Sequence, residues 1–239
     1  MLNLQTYQRR FLTDVNAMFH LEGKDILEVG CGDGCVAKEL FARRARTVVG
    51  IDPKLSEEVD AGDFRLRRLD VQSMPFGEAS FDYVFSIAVL EHVEDVPAAL
   101  NEIHRVLRKG GIFFARFGPI WTAINGHHYR IWDHANEVII LPWSHLFLNR
   151  DQMFQYLAAR YGKHEAEEAC QYIYDSKEIN RLSYAQYNAF FGQSRFPEII
   201  VTPVIHDRAR MFLAAFRSLL SDYSDEELLT SGFTLWMRK

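Results

Sequence analysis

The sequence predicts an α/β fold: a doubly wound, mostly parallel sheet of seven strands, the last antiparallel, with helices on both faces. Three observations predict it. Short apolar runs alternate with segments of helical periodicity along the first half of the chain. The first run, residues 26–29, breaks into three glycines at Gly30, Gly32 and Gly34. Two further runs end on polar residues, Asp52 and Ser86, and parallel strands bring such ends to one sheet edge.

The composition fits one domain covering residues 1–239. Of the 239 residues, 48% are hydrophobic, and the net charge is −5 with basic residues scattered along the chain. This charge pattern disfavours nucleic-acid binding. The three cysteines lack metal-ligand spacing, and no apolar run has the length of a membrane span. With no basic and apolar leader at Met1, a cytoplasmic protein is expected.

The glycine turn predicts a nucleotide cradle between the first strand and its helix, because glycines permit positive φ and close approach of a ligand. Cys35 stands where the dinucleotide fingerprint G-x-G-x-x-G requires its third glycine. The stretch instead resembles motif I, E/D-x-G-x-G-x-G, of the class I S-adenosylmethionine-dependent methyltransferases, which share a Rossmann-like fold. The resemblance implies that the motif residues bind S-adenosylmethionine: Glu28, Gly30, Cys31, Gly32 and Gly34.

Two acids follow in the order that this family shows. Asp52 ends the second predicted strand 18 residues beyond Gly34, where its carboxylate can accept both ribose hydroxyls. Asp70 lies in a segment, residues 70–76, that resembles the family pattern D-x-x-x-L-P-F. There the resemblance implies that Asp70 accepts from the adenine amine and that Val71 packs on the ring. For both acids an ordinary turn role is the alternative.

The fourth strand carries the most specific resemblance. Residues 81–95 match the family block F-D-x-V-x-x-x-x-x-L-E-H-V-x-D, in which Ser86 ends the strand at the cofactor edge. Asp82 is expected to anchor the start of this strand, while Glu91 and His92 lie on the turn that leaves the sheet. An amphipathic helix over residues 7–19 precedes the first strand and is expected to place Tyr7 and Phe11 near the cofactor.

The chain divides into a cofactor-binding core (20–118), an insertion (119–180), and a closing helix with two strands (181–239). The insertion is too long for a simple connection after strand five, and it is rich in tryptophan and histidine. We therefore expect a helical and aromatic cap that recognises the substrate. The predicted substrate-binding residues are His92, Trp121, Tyr129, Trp143 and His145.

A hydroxyl acceptor must lose its proton, and a histidine near its free pKa is a natural general base. His128 is the first candidate and His127 the second, since both follow strand five on the side where the methyl group would point. Packing in a loop is the alternative for this pair. A cation bound by Asp133, His134 and Glu137 remains open, but nothing fixes a ligand set, so no metal site is predicted.

The insertion patterns around Trp121, His128 and Trp143 resemble those of methyltransferases of bacterial surface-polysaccharide pathways. The resemblance implies O-methylation of a sugar or glycan hydroxyl. A small aromatic, lipid or natural-product acceptor is the alternative, and a non-catalytic cofactor-binding protein is another, although the acids argue against it. Strand four lacks the D/N-P-P-Y/F and Pro-Cys runs of nucleic-acid base methylation. A homodimer is left open.

Overall fold

The computed structural model describes residues 4–129 and 140–239. Within these residues the strands are β1 (Asp25–Val29), β2 (Thr47–Ile51), β3 (Val59–Ala61), β4 (Phe64–Arg67), β5 (Phe81–Ile87), β6 (Leu107–Phe117), β7 (Glu198–Ile205) and β8 (Thr230–Arg238). They form one sheet in the order β3-β4-β2-β1-β5-β6-β8-β7. The central strands β4, β2, β1, β5 and β6 run parallel, and β8 is antiparallel to both of its neighbours.

The predicted mostly parallel sheet with an antiparallel last strand is confirmed, but the count of seven strands is wrong. The additional strand, β3, pairs antiparallel with β4 at the sheet edge. It has three residues and no buried side chain, so it lacks the apolar run that would reveal it. The sequence predicts the third strand over residues 66–71, but in the structure β4 ends at Arg67, and the following residues form a loop.

Helices cover both faces of the sheet, as predicted. The helices are α1 (Thr6–Met18), α2 (Cys35–Ala42), α3 (Val96–Val106), α4 (Ser144–Phe147), α5 (Arg150–Tyr161), α6 (Lys163–Cys170), α7 (Tyr184–Gln193), α8 (Asp207–Phe216) and α9 (Asp225–Leu229). One hydrophobic cluster joins α1 and α2 to the sheet, and a second joins α3 and α7 to its other face. Among the described residues, every helix is too short or too polar to cross a bilayer.

The insertion has a small core of its own. Helices α5 and α6 and the π-helical turn Gln171–Asp175 bury one cluster that includes Met153, Leu157 and Cys170. The periodicity of residues 208–220 predicts an additional helix that covers a sheet face, but α8 packs on Trp143 and the residues around α9. Asp133, His134 and Glu137, which were left open as cation ligands, lie outside the described residues.

The start of β1 is tied to its neighbours by a buried carboxylate. Asp25 accepts hydrogen bonds from Arg46, Arg108 and Thr47, and its own N–H donates to the Asp82 carboxylate over 2.8 Å. Asp82 thus anchors the strand start, as predicted. These bonds join the amino ends of β1, β2 and β5, at the edge opposite the glycine turn.

Candidate functional site

The glycine turn after β1 opens onto the carboxyl edge of the sheet. The N–H groups of Gly30 and Cys31 both donate to the carbonyl of Ile51 at the end of β2, which fixes the turn against that strand. Gly30 has a φ of +76°, and a Cβ there would lie 2.0 Å from a methyl of Val89. Gly32 has a φ of +52°, and a Cβ would meet no atom within 4 Å. The turn therefore requires glycine for conformation at both positions and leaves free space beside Gly32.

A cavity of about 710 Å³ lies beside this turn. Seven of the nine predicted cofactor residues line it: Glu28, Gly30, Cys31, Gly32, Asp52, Asp70 and Val71. Gly34 and Ser86 lie outside the lining. Gly34 is the N-cap of α2 in a left-handed conformation, and the buried Ser86 is followed by the lining residues 87–89. The fold thus brings the ends of β1, β2 and β5 together around one ligand-sized space, as expected for an open parallel sheet.

The acidic residues of the cavity differ in how their oxygens are occupied. The Asp52 carboxylate accepts from Gly32 N–H (3.0 Å) and Lys54 N–H (2.8 Å), which locks the acid against the glycine turn. The Asp70 carboxylate accepts from the backbone and side chain of Gln72. Glu28 is buried, and burial raises the pKa of its carboxyl to about 8. Its Oε2 has no partner among the described residues, so it is available to a bound ligand.

These residues fit S-adenosylmethionine. A cofactor with a ribose and an adenine needs acceptor carboxylates at the ends of two adjacent strands, and Asp52 and Asp70 stand there. Its amino acid portion needs a backbone that it can approach closely, which the space beside Gly32 provides. From α1, the predicted Tyr7 lines the cavity, whereas Phe11 is fully buried and stacks on Phe114 with ring centroids 5.3 Å apart.

At the far wall of the cavity a cluster of titratable groups follows β5. His92 lines the cavity from the 3₁₀ turn Leu90–His92. Its ring lies 5.4 Å, centroid to centroid, from that of His128, and Glu91 is buried beside it. Burial raises the pKa of Glu91 to about 7 and lowers that of His128 to about 4. Two consecutive residues, Glu91 and His92, therefore meet the distant His128 next to the cofactor space.

The two predicted base candidates differ in their hydrogen bonds. The Nδ1 atom of His127 accepts from the Tyr129 N–H at 3.1 Å, so its only basic nitrogen is occupied. In His128, Nδ1 lies 2.8 Å from the Gly126 carbonyl, which only accepts; Nδ1 therefore carries the hydrogen, and Nε2 keeps its lone pair. That Nε2 is buried and has no partner among the described residues.

Of the predicted substrate residues, only His92 lines the cavity. Trp143 is fully buried against α8 and α9. The Nε2 of His145 hydrogen-bonds the Trp121 carbonyl at 2.8 Å, and burial lowers the pKa of this imidazole to about 4. The Tyr129 hydroxyl donates to Glu165 over 2.8 Å within the insertion. We assign packing roles to Trp143 and His145, because neither faces the cofactor space.

Sequence reasoning missed part of the cavity wall. Lys177 and Glu178, at the end of the insertion, line the cavity beside His92. Glu178 forms an ion pair with Lys54 after β2, and its carbonyl accepts from Nδ1 of His92. No pattern in the sequence distinguishes these two residues from other surface charges. Glu91 could have been identified from the sequence as a site residue. It lies beside His92 in an apolar segment, where an acid is unusual because acids are rarely buried.

Comparisons with known proteins find similarity to methyltransferases. Residues 27–115 match a family described as "Methyltransferase domain". The chain is 32% identical over 120 residues to a ubiquinone biosynthesis O-methyltransferase of Methylobacterium nodulans, covering 46% of this chain and 47% of that protein. It is 33% identical over 103 residues to a malonyl-[acyl-carrier protein] O-methyltransferase of Halorhodospira halophila, covering 39% and 35%. The chain thus spans less than half the length of these curated relatives.

A solved structure extends the likeness to nearly the whole chain. The S-adenosylmethionine-dependent methyltransferase of Mesorhizobium loti superposes with a TM-score of 0.56 at 16% identity, covering 95% of this chain and 96% of that one. The fold is that of S-adenosylmethionine-dependent methyltransferases, and the matched residues are similar to a methyltransferase domain. These likenesses indicate S-adenosylmethionine as the cofactor.

Proposed function

We propose that this chain transfers the methyl group of S-adenosylmethionine to a hydroxyl oxygen, and that the hydroxyl belongs to a sugar or glycan. The bound cofactor supplies the methyl as a sulfonium substituent. The observation that carries the proposal is the juxtaposition of His92, Glu91 and His128 with the cofactor cavity. A hydroxyl is a poor nucleophile until it loses its proton. We expect the acceptor to enter the cavity beside these groups.

In this proposal, different residues of the chain bind the cofactor, exclude water and accept the proton. The glycine turn, Asp52 and Asp70 bind and orient the cofactor, and the apolar residues Val89 and Val93 exclude water beside it. His92 reaches the acceptor from the cavity wall. The buried imidazole of His128 lies next to His92, where its lone pair can accept a proton or serve as a ligand to a cation. His127 has no free lone pair, so we propose His128 alone of that pair.

The sugar acceptor rests on the resemblance of the insertion to methyltransferases of surface-polysaccharide pathways. A second class of acceptor, a small aromatic or lipid hydroxyl, is favoured by the apolar wall of Val89, Val93 and Leu69. The two relatives named above are both O-methyltransferases by name, which supports oxygen as the methylated atom. A glycan acceptor and a homodimer remain predictions.

Labelled cofactor supplied to cell-extract fractions identifies the acceptor. We expect the methyl label in a glycan fraction, and label confined to lipids or small aromatics would select the second class. With the acceptor in hand, His128→Asn should lower turnover about 10²–10⁴-fold while cofactor affinity stays unchanged. His127→Asn should have a much smaller effect. Equal turnover in the wild type and in a folded His128→Asn protein would contradict the role of His128.

A further inference from the structure

We infer that Glu91, His92 and His128 bind one divalent transition-metal cation at the wall of the cofactor cavity. Each residue offers one ligand atom, and these atoms all lie within 4.8 Å of one another. Ligands about 2.1 Å from one ion are at most about 4.2 Å apart, so side-chain shifts of less than about 1 Å complete the site. This inference deepens the proposed function, because the cation would sit where the acceptor hydroxyl must be activated.

Two of the three residues, Glu91 and His128, each have a buried polar atom without any partner among the described residues. Glu91 is 1% exposed; its Oε1 accepts from Gly118 N–H at 3.0 Å, while its Oε2 is unpartnered. His128 is 6% exposed, and its Nε2 is unpartnered. Buried polar atoms normally have partners, because leaving them unpaired costs free energy. A single cation between these atoms would satisfy both.

The hydrogen bonds behind the imidazoles are those of metal ligands. In metal sites a histidine usually donates its second N–H to a carbonyl or carboxylate, which fixes the tautomer and the ring. Here Nδ1 of His128 donates to the Gly126 carbonyl, and Nδ1 of His92 donates to the Glu178 carbonyl. Both Nε2 lone pairs are therefore left for the cluster. The bond from Gly118 N–H orients the Glu91 carboxylate in the same way.

The ligand set selects the kind of cation. Two imidazoles with one carboxylate suit zinc, manganese, iron or cobalt better than magnesium or calcium, which prefer oxygen ligands. Three protein ligands leave a coordination position open, as in catalytic rather than structural sites. Since His92 faces the cavity, that position is open to an acceptor. A cation there lowers the pKa of an acceptor hydroxyl. The proton passes to water, the oxygen bonds the methyl carbon, and the carbon–sulfur bond breaks.

Metal binding is tested on the full chain after treatment with a chelator. Calorimetric titration with Zn²⁺, and the visible absorption of Co²⁺, should report about one equivalent of tightly bound metal. His92→Asn is the main variant, because His92 lies exposed at the cavity and its loss leaves the core packed. We expect at least a tenfold loss of Zn²⁺ affinity in His92→Asn, Glu91→Gln and His128→Asn. The control His164→Asn, on the exposed face of α6, should bind as the wild type does.

A shift in melting temperature separates a lost site from a lost fold. Zn²⁺ should raise the melting temperature of the wild type and of His164→Asn but not that of a folded His92→Asn protein. The inference would be overturned if His92→Asn kept the Zn²⁺ affinity of the wild type, or if the wild type bound no tight equivalent of Zn²⁺. The three residues would then form only a hydrogen-bonded cluster. Full methyl transfer by metal-free protein would overturn the cation's role while the proposed function stands. If the metal binds through these three residues but no acceptor is methylated, the metal site stands and the proposed function is refuted.

Discussion

At Gly32 a single hydrogen atom separates the backbone from the cavity. The residue has a φ of +52°, and a Cβ would meet no protein atom within 4 Å, so any side chain would occupy the space left for the cofactor. Gly23 provides a matched comparison. It also has a positive φ, +72°, and an equally open Cβ position, but it lies in a turn before β1 and away from the cavity.

We predict that Gly32→Ala weakens binding of S-adenosylmethionine at least tenfold, whereas Gly23→Ala leaves the dissociation constant unchanged. Both variants should lose stability by about 1–2 kcal/mol, because alanine is strained at positive φ. Calorimetric titration measures the first effect and thermal unfolding the second. Equal affinity in the two variants would show that the cofactor does not approach the turn at Gly32.

Residue types alone could not separate the histidines and tryptophans of the insertion. Trp143 and His145 were expected at the substrate, but an aromatic residue in a core and one on a recognition surface look alike in sequence. Glu91 and His128 are separated by a long stretch of chain that includes β6. Only the fold brings them together, so their cluster could not be read from spacing, whereas the glycines and Asp52 follow a local pattern.

At the scale of elements, the amino end of β1 depends on the Asp25 carboxylate. Hydrogen bonds and charge from Arg46 and Arg108 hold the pKa of this carboxyl well below its usual range. The pKa is depressed in the folded state, so the stabilisation is fully present above the unfolded pKa of about 3.9. It is lost as the pH falls through the lower folded value.

We predict that Asp25→Asn lowers the free energy of unfolding at pH 7 by about 1–3 kcal/mol. The difference from the wild type should shrink as the pH falls from 5 towards 2. Denaturant unfolding across that range measures both effects. Asp60→Asn is the control, because Asp60 lies exposed on the edge strand β3, and its ion pair with Arg67 of β4 is screened by solvent. A difference that does not change with pH would contradict the account of Asp25.

The elements that could be predicted are those whose buried residues form a recognisable apolar pattern in the sequence. Strands β1, β2 and β5 are mostly buried and rich in apolar residues, and the capping box of Ser183 marks the start of α7. The predicted position of β4 was a few residues too far along the chain. The alternating arginines, Arg65 and Arg67, obscure the apolar pattern of this half-buried strand. Helix α8 has the periodicity of a sheet-covering helix, but periodicity does not say which surface a helix covers.

At the scale of the whole molecule, the insertion and the sheet share one cavity. The insertion returns to the sheet at Asn180, whose side chain donates to the carbonyls of Leu90 and Val93 on either side of the Glu91–His92 turn. Lys54 and Glu178 pair across the cavity edge. We propose that the insertion caps the substrate, since its end forms a wall of the space in which the methyl group must be presented.

The central claim is that the cavity binds S-adenosylmethionine, and titration calorimetry of the full chain tests it most directly. The account predicts that S-adenosylmethionine and its demethylated product S-adenosylhomocysteine each bind at one site per chain, and that NADH does not bind. It also predicts that Asp52→Asn weakens both about 10- to 100-fold, as expected for the loss of charge-assisted hydrogen bonds of about 1.5–3 kcal/mol. Binding of NADH without binding of either S-adenosyl compound would contradict the claim.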